Sequence, residues 1–495
     1  MSLTILNNDE LEALEQRAAN QLGSDALMLR AGAAAAALIE ARTAENAPVS
    51  ILAGPGNNGG DAIACACELK AKGRDVVLIL PGGRRPTSAL ALAQLKRWEA
   101  LGGDIEEDPY MSRKAECVVD GLFGVGLKKP ITGEYLDAVL WFNERQALKI
   151  ALDVPSGLNH QTGQWIGTMP GVRANITLSF LATKAGLYMN EGADAAGEII
   201  IDTLNVSVPL SNLSVLTTDE IQHVLRPREH NTHKGNYGHV AVVGGSDGMI
   251  GALLLAARAA LVSGAGRVTV YPLSSAAPAV DMLYPELMFA QADADFTSAS
   301  VIVMGCGMGQ SEQAKALLIK ALDADKPLVL DADALNLIAA DVKLQDKLLA
   351  RQAASVITPH PGEAARLLRR DTAGVTVDRV AAARELAVQS GAIVVLKGAG
   401  SVISLRSARA WINSTGGAVL ATAGSGDVLA GMIGAMFAQG YDMLEAVHAA
   451  VYLHGLSAEG FEAGFTAGDI APNAMAILSE ARLDGHLRNR DACFI

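Results

Sequence analysis

Short runs of β-branched residues recur along this chain, each closed by a glycine-rich or charged turn and followed by an alanine-rich helical stretch. In the first half the runs fall at residues 49–53, 76–80, 117–120, 149–153 and 176–180, with helical stretches at 10–21, 27–42, 62–72 and 88–101. Strand–helix alternation with crossovers of this length predicts a mostly parallel, doubly wound sheet that binds ligands beyond the carboxyl ends of its strands. The second half alternates in the same way, with strands expected at 238–243, 267–270, 301–304, 327–330, 355–358 and 393–396. The halves share no motif, and 495 residues exceed one ordinary core. Two different α/β domains are therefore expected, over 1–220 and 225–490, joined by a short polar segment around Pro227, Arg228, Glu229 and His230.

Charge and composition narrow the partners. A net charge of −13 disfavours a nucleic-acid backbone as ligand, so any anion must be held by local N–H groups and a few basic side chains. The five cysteines show no paired CxxC spacing, as expected of a reducing cytoplasm. No basic region followed by a long apolar core opens the chain. The most apolar stretch, 249–262, contains Arg258 and is short for a bilayer, so it reads as a buried helix and no membrane partner is expected.

The most informative motif is Gly424-Ser425-Gly426-Asp427, followed directly by an apolar helical run. A glycine turn opening into a helix presents unpaired N–H groups and the positive helix end to an anion. Asp427, in the first helical turn, is placed to take a proton from a hydroxyl beside that anion. Asp331 and Asp333, His360 in Thr-Pro-His-Pro-Gly-Glu, and Lys397-Gly398-Ala399-Gly400-Ser401 each follow an expected strand in the same half.

In the first half, Gly54-Pro55-Gly56-Asn57-Asn58-Gly59-Gly60-Asp61 follows one strand, with a phosphate-cradling loop expected before a helix at Ala62. Asp120-Gly121-Leu122-Phe123-Gly124-Val125-Gly126-Leu127 and Asp153-Val154-Pro155-Ser156-Gly157-Leu158 close two more strands. Asn58, Asp120 and Ser156 together offer oxygen ligands to a hard cation, and Asp153 is a candidate acid/base.

On these motifs the first half resembles the NAD(P)HX epimerase domain, a Rossmann-like fold. The resemblance implies potassium at Asn58, Asp120 and Ser156. It also implies damaged nucleotide at Asn57, Asn58, Gly59, Gly60, Asp61, Gly124, Val125, Gly126, Leu127, Lys128, Lys129, Pro130 and Asp153. The second half resembles the ribokinase-like ADP/ATP-dependent NAD(P)H-hydrate dehydratases over nearly all of 230–480. By position, Ala252, Gly309, His360 and Asp427 would contact the hydrated nucleotide, and Lys397, Gly398, Ala399, Gly400, Ser401 and Gly426 the adenine nucleotide. Together the resemblances imply a homo-oligomeric bifunctional enzyme that acts on NADHX and NADPHX, with ADP as co-substrate and Mg²⁺ on its phosphates. The chain departs from the family patterns at Ala62 for glycine, at Gly305-Cys306-Gly307-Met308-Gly309 for GPGLG, at Gly417 for asparagine and at Ala423 for glycine.

Overall fold

The computed structural model describes residues 3–23, 25–112, 114–225, 227–291, 295–484 and 493–494. The β-branched runs of the first half form β1 (Val49–Ala53), β2 (Val76–Ile79), β4 (Cys117–Gly121), β5 (Leu148–Leu152) and β6 (Ile176–Phe180). Two strands that the sequence did not announce are added, β3 (Asp104–Glu106) and β7 (Glu198–Asp202). β3 is short, charged and at the sheet's edge, where alternation is weakest. The order is β7-β6-β5-β4-β1-β2-β3 with every pair parallel, and Cys493–Phe494 extends it beside β7. Side chains alternate between two cores. Ile51, Leu78 and Val119 face one with Ile39 and Ile63, while Leu52, Ile79 and Val118 face another with Trp141 and Phe142. The chain reverses its direction of strand addition between β1 and β4, and the strand ends beside such a switch point are where open α/β sheets bind ligands.

The loop expected over 54–61 is mostly not a loop. The helix Asn57–Ala71 begins at Asn57, so Asn58, Gly59 and Gly60 are buried in its first turns. Glycine permits this: a Cβ on Gly59 would strike the Gly54 carbonyl, and one on Gly54 the Leu122 carbonyl.

The chain forms two compact units, one over Leu3–Ser211 that Cys493–Phe494 joins, and a second that starts at Asn212 and includes the helix Ala467–Asp484. The boundary falls before residue 220 because β8 (Leu213–Leu216) pairs parallel with β17 (Ala410–Asn413). Val215 and Leu216, with Ile221 and Val224 of the following turn, are buried in the second unit's core. Between these lie β9 (His239–Gly244), β10 (Arg267–Pro272), β11 (Met288–Phe289), β12 (Val301–Met304), β13 (Leu328–Leu330), β14 (Ser355–Ile357), β15 (Ile393–Leu396) and β16 (Val402–Ser404). The order β11-β10-β9-β12-β13-β14-β15 is parallel, and β15-β16-β17 then forms an antiparallel meander. Residues 397–401 are thus the turn of a hairpin. The apolar stretch around Arg258 is a helix, Ile250–Val262, whose Leu253, Ala256, Ala257 and Ala260 pack in one core with Val428, Leu429 and Met432 of the helix Ser425–Ala438. Among the described residues no single helix is long and apolar enough to cross a membrane.

His448 lies in that core, 4% exposed, its ring 4.6 Å from the Trp411 ring and its Nε2 without a hydrogen-bond partner among the described residues. Burial holds its pKa down at about 3. The unfolded chain protonates this group near the ordinary histidine value and the native protein only near 3. The associated stability is therefore full above that ordinary value and is lost as pH falls toward 3, by up to about 1.4 kcal/mol per pH unit. His448→Phe is expected to flatten the loss of stability between about pH 6 and 4 in urea unfolding. An unchanged slope would assign the acid sensitivity to other groups.

Candidate functional sites

At this switch point of the first unit, Asp120, the last residue but one of β4, is fully buried. Its carboxylate accepts from the Leu122 N–H (3.1 Å), the Ser156 N–H (2.8 Å) and the Ser156 hydroxyl (2.7 Å), all neutral donors. Burial pushes its pKa up to about 6 although these bonds pull the other way. The Ser156 hydroxyl oxygen also accepts from the Phe123 N–H at 2.8 Å. Asn58 is 8% exposed, and both polar atoms of its amide are buried with no partner among the described residues. Satisfied amides are the rule in interiors, so such a pair points to a ligand. Gly124 joins the parts: a Cβ there would lie 3.5 Å from Asn58 Cγ and 3.2 Å from Asp153 Oδ2.

Asp153 follows β5 at φ 64°, with the Val154 N–H bonded to the Leu152 carbonyl across it. Leu181, after β6, repeats this at φ 65°, with the Ala182 N–H on the Phe180 carbonyl. Two such three-residue turns at adjacent strand ends are strained, and strain of this kind gathers at functional sites. Between them the buried Lys184 ammonium pairs with Asp153 and donates to the Phe180 carbonyl (2.8 Å) and the Ser179 hydroxyl (3.1 Å). Further ionisable groups feel this pair. Burial raises the Asp61 carboxyl well above its usual range, and the Asp153 and Glu15 charges add to that. Burial likewise raises Glu15 and depresses His160 to about 4. The His160 ring contacts Asn8 Oδ1 at 2.6 Å. Asn58, Asp61, Asp120, Asp153 and Ser156 thus belong to one strand-end neighbourhood, whereas Gly126, Lys128, Lys129 and Pro130 lie exposed on the loop after β4. Lys184, Glu15 and His160 were missed by sequence reasoning. A single lysine after an apolar strand carries no local signal, because its partner is thirty-one residues away.

In the second unit Gly424, at φ 91°, opens the helix Ser425–Ala438 and Asp427 stands in its first turn, as expected. Asp331, 1% exposed at the end of β13, pairs with Lys397 at the end of β15 (2.7 Å). Gly426 packs on this pair, since a Cβ there would lie 3.0 Å from Lys397 Nζ and 3.4 Å from Asp331 Oδ2. Cys306 Sγ and carboxylate oxygens of Asp331 and Asp427 lie within 4.8 Å of one another. Burial raises the Asp427 pKa to about 6, with the Asp331 charge adding to it, while the Cys306 thiol and Lys397 act against it. Burial, with both carboxylates, drives the Cys306 thiol well above its usual value.

The remaining expected residues surround this centre. The Gly309 N–H donates to Asp333 Oδ2 at 2.8 Å, and Ala252 faces Gly307 of the same loop. His360 caps the helix Pro361–Leu368, its Nδ1 accepting from the Gly362 N–H (3.0 Å) while Glu363 accepts from the His360 N–H (2.8 Å). Burial and the Lys397 charge lower its pKa, which favours the neutral ring. His454 donates from Nε2 to the Ser425 carbonyl (2.9 Å), with a pKa held near 4 by burial, and so braces the glycine turn. The Ala62 methyl fits against the bare backbone of Gly121. Gly417 and Ala423 are exposed, and the departure at Cys306 enters the centre.

Residues 24–186 match a family described as YjeF-related protein N-terminus, and residues 240–480 match NAD(P)H-hydrate dehydratase. The bifunctional NAD(P)H-hydrate repair enzyme Nnr of Coxiella burnetii is 36% identical over 496 residues, covering 96% of this chain and 100% of that protein. The enzyme of the same name from Escherichia coli K12 is 34% identical over 488 residues, covering 96% and 93%. A crystal structure of ADP/ATP-dependent NAD(P)H-hydrate dehydratase from Bacillus subtilis, co-crystallized with ATP/Mg²⁺, shares 31% identity over 53% of this chain and 98% of its own, with a TM-score of 0.48.

Proposed function

The chain belongs to the family of bifunctional NAD(P)H-hydrate repair enzymes, and on that premise we propose how its residues divide the work. The protein is an NAD(P)H-hydrate epimerase and dehydratase in one chain. The observation that carries the dehydratase assignment is Asp427 in the first turn of a glycine-opened helix, beside the Lys397–Asp331 pair at Gly426.

In our reading the S hydrate lies against Ala252, Gly309 and His360, with its ring hydroxyl at Asp427, and ADP lies along residues 397–401. Asp427 takes the hydroxyl proton as the terminal phosphoryl group of ADP moves to that oxygen. The N–H groups of Gly426 and Asp427 stabilise the charge on the moving group. Phosphate then leaves with the C–O bonding pair, the neighbouring ring carbon gives up a proton whose C–H pair becomes the ring double bond, and AMP remains. The chemical gain is that phosphate departs far more readily than hydroxide. Asp331 and Asp333 offer hard oxygen donors suited to Mg²⁺ on the phosphates, where the ion would neutralise charge.

In the epimerase unit, Asn57, Asn58, Gly59, Gly60, Asp61 and the loop from Gly124 to Pro130 hold the nucleotide. Asp153, oriented by Lys184, moves a proton at the hydrated ring carbon. The unpartnered Asn58 amide, the Asp120 carboxylate with only neutral donors and the Ser156 hydroxyl are hard oxygen ligands that fit K⁺. They would hold the ion, which offsets a buried negative charge. The buried free thiols of Cys65, Cys67, Cys117 and Cys306 suit a reducing compartment, and we assign the enzyme to the cytoplasm.

A mixture of R- and S-NADHX treated with the protein, ADP and K⁺ is expected to return fully to NADH, releasing one phosphate per NADH. Recovery that stops at the S fraction would remove the epimerase assignment. A phosphorylated product without NADH would make the second unit a small-molecule kinase.

A further inference from the structure

Arg379 is a buried cation without a countercharge among the described residues. It opens the helix Arg379–Ser390 after the capping residue Asp378, whose carboxylate accepts from the Ala381 N–H at 2.8 Å. The residue is 2% exposed. Its Nη2 donates to the Ala399 carbonyl, while Nε and Nη1 are buried with no hydrogen-bond partner among the described residues. Burial alone brings its pKa down to about 10, which leaves it charged at neutral pH. A guanidinium in this state is costly, and such groups persist where a ligand completes them.

The neighbourhood indicates which ligand. Gly398, at φ 152°, lies so close that a Cβ would collide with Nη1. Gly398 and Ala399 are themselves exposed, so Arg379 sits directly beneath the outer surface of the hairpin turn. One residue earlier, Lys397 spends its charge on Asp331. The turn therefore offers an anion no net charge from Lys397, and Arg379 supplies it from below. A charge in a low-dielectric interior acts over a longer range than one in water.

We propose that Arg379 is a positioning residue for the adenine nucleotide: its guanidinium holds the Ala399 carbonyl and supplies the positive charge that nucleotide phosphates balance across the 397–401 turn. This rests on the reading of that turn as the nucleotide site. A charge effect discriminates between nucleotides of different charge, whereas a structural effect does not. Calorimetry on the full chain with ADP and AMP separates the two. Arg379→Gln retains a donor for the Ala399 carbonyl and removes the charge. It is expected to weaken ADP at least about tenfold and AMP by less than about threefold, and to raise the KM for ADP with kcat largely kept. Arg379→Lys, which keeps the charge, is expected to stay within about threefold of the parent for both nucleotides. Equal losses for ADP and AMP in Arg379→Gln, or unchanged ADP affinity, would overturn the proposal. Should Arg379→Gln not fold, a lost ADP-over-AMP preference in Arg379→Lys overturns it as well. Absence of ADP binding by the parent would instead refute the assignment of the turn, and the role of Arg379 with it.

Discussion

Asp427→Asn is expected to slow ADP-driven dehydration of S-NADHX by at least about 10²-fold, the lower end of what a positioned general base contributes. The amide keeps the size of the side chain but cannot accept the hydroxyl proton. ADP affinity should change little, because the N–H groups at the helix start and the residues at 397–401 remain. Epimer exchange should be untouched, because its residues lie in the other compact unit. The raised pKa gives a second handle. With Asp427 near 6, kcat/KM of the parent should fall as pH drops through that value, because the base must be ionised. A group whose native pKa exceeds its unfolded one favours the fold below the unfolded pKa, and that contribution is lost as pH rises through the native pKa. At neutral pH the ionised Asp427 therefore costs stability, and Asp427→Asn should raise the melting temperature there. Lost turnover with greater stability is the signature of a residue retained for chemistry. Near-normal turnover would remove Asp427 from the mechanism. Loss of ADP binding would make it a phosphate- or metal-site residue.

Asp120→Asn should raise the potassium concentration needed for half-maximal epimerisation by at least about 100-fold, because removing one partner of a buried charge pair typically costs about 3–5 kcal/mol. The motive is a buried carboxylate bound only by neutral donors, next to an amide that nothing satisfies. Dehydration of pure S epimer should continue at the parent rate. Exchange rates are measured by following R-to-S conversion against KCl at constant ionic strength. A parent enzyme indifferent to potassium, or a variant with an unchanged potassium requirement, would show that this oxygen cluster is a structural network.

The two α/β units, the parallel order of most strands and the start of the Asp427 helix were readable in the sequence. Each is written in local terms: short continuous β-branched runs, alanine-rich helices, and glycines where strand meets helix. The same local reasoning failed where tertiary contact overrides local preference. Asn57, Asn58, Gly59, Gly60 and Asp61 read as a loop, yet they open a helix because Gly54 and Gly59 let two backbones touch. Leu213–Leu216 read as the end of the first unit, yet it pairs with a strand almost two hundred residues later.

The candidate acids and the glycine turns came from sequence because their residue types are required within a few positions of one another. Which of them act on one another was decided by the fold. The Lys184–Asp153 and Lys397–Asp331 pairs, the approach of Cys306 to Asp427, and the orphaned donors of Arg379 each join residues from different strands or helices. Sequence set the chemistry available at each strand end. Only the sheets, by bringing those ends side by side and excluding water from them, set which charges meet and in which direction each carboxylate's pKa moves.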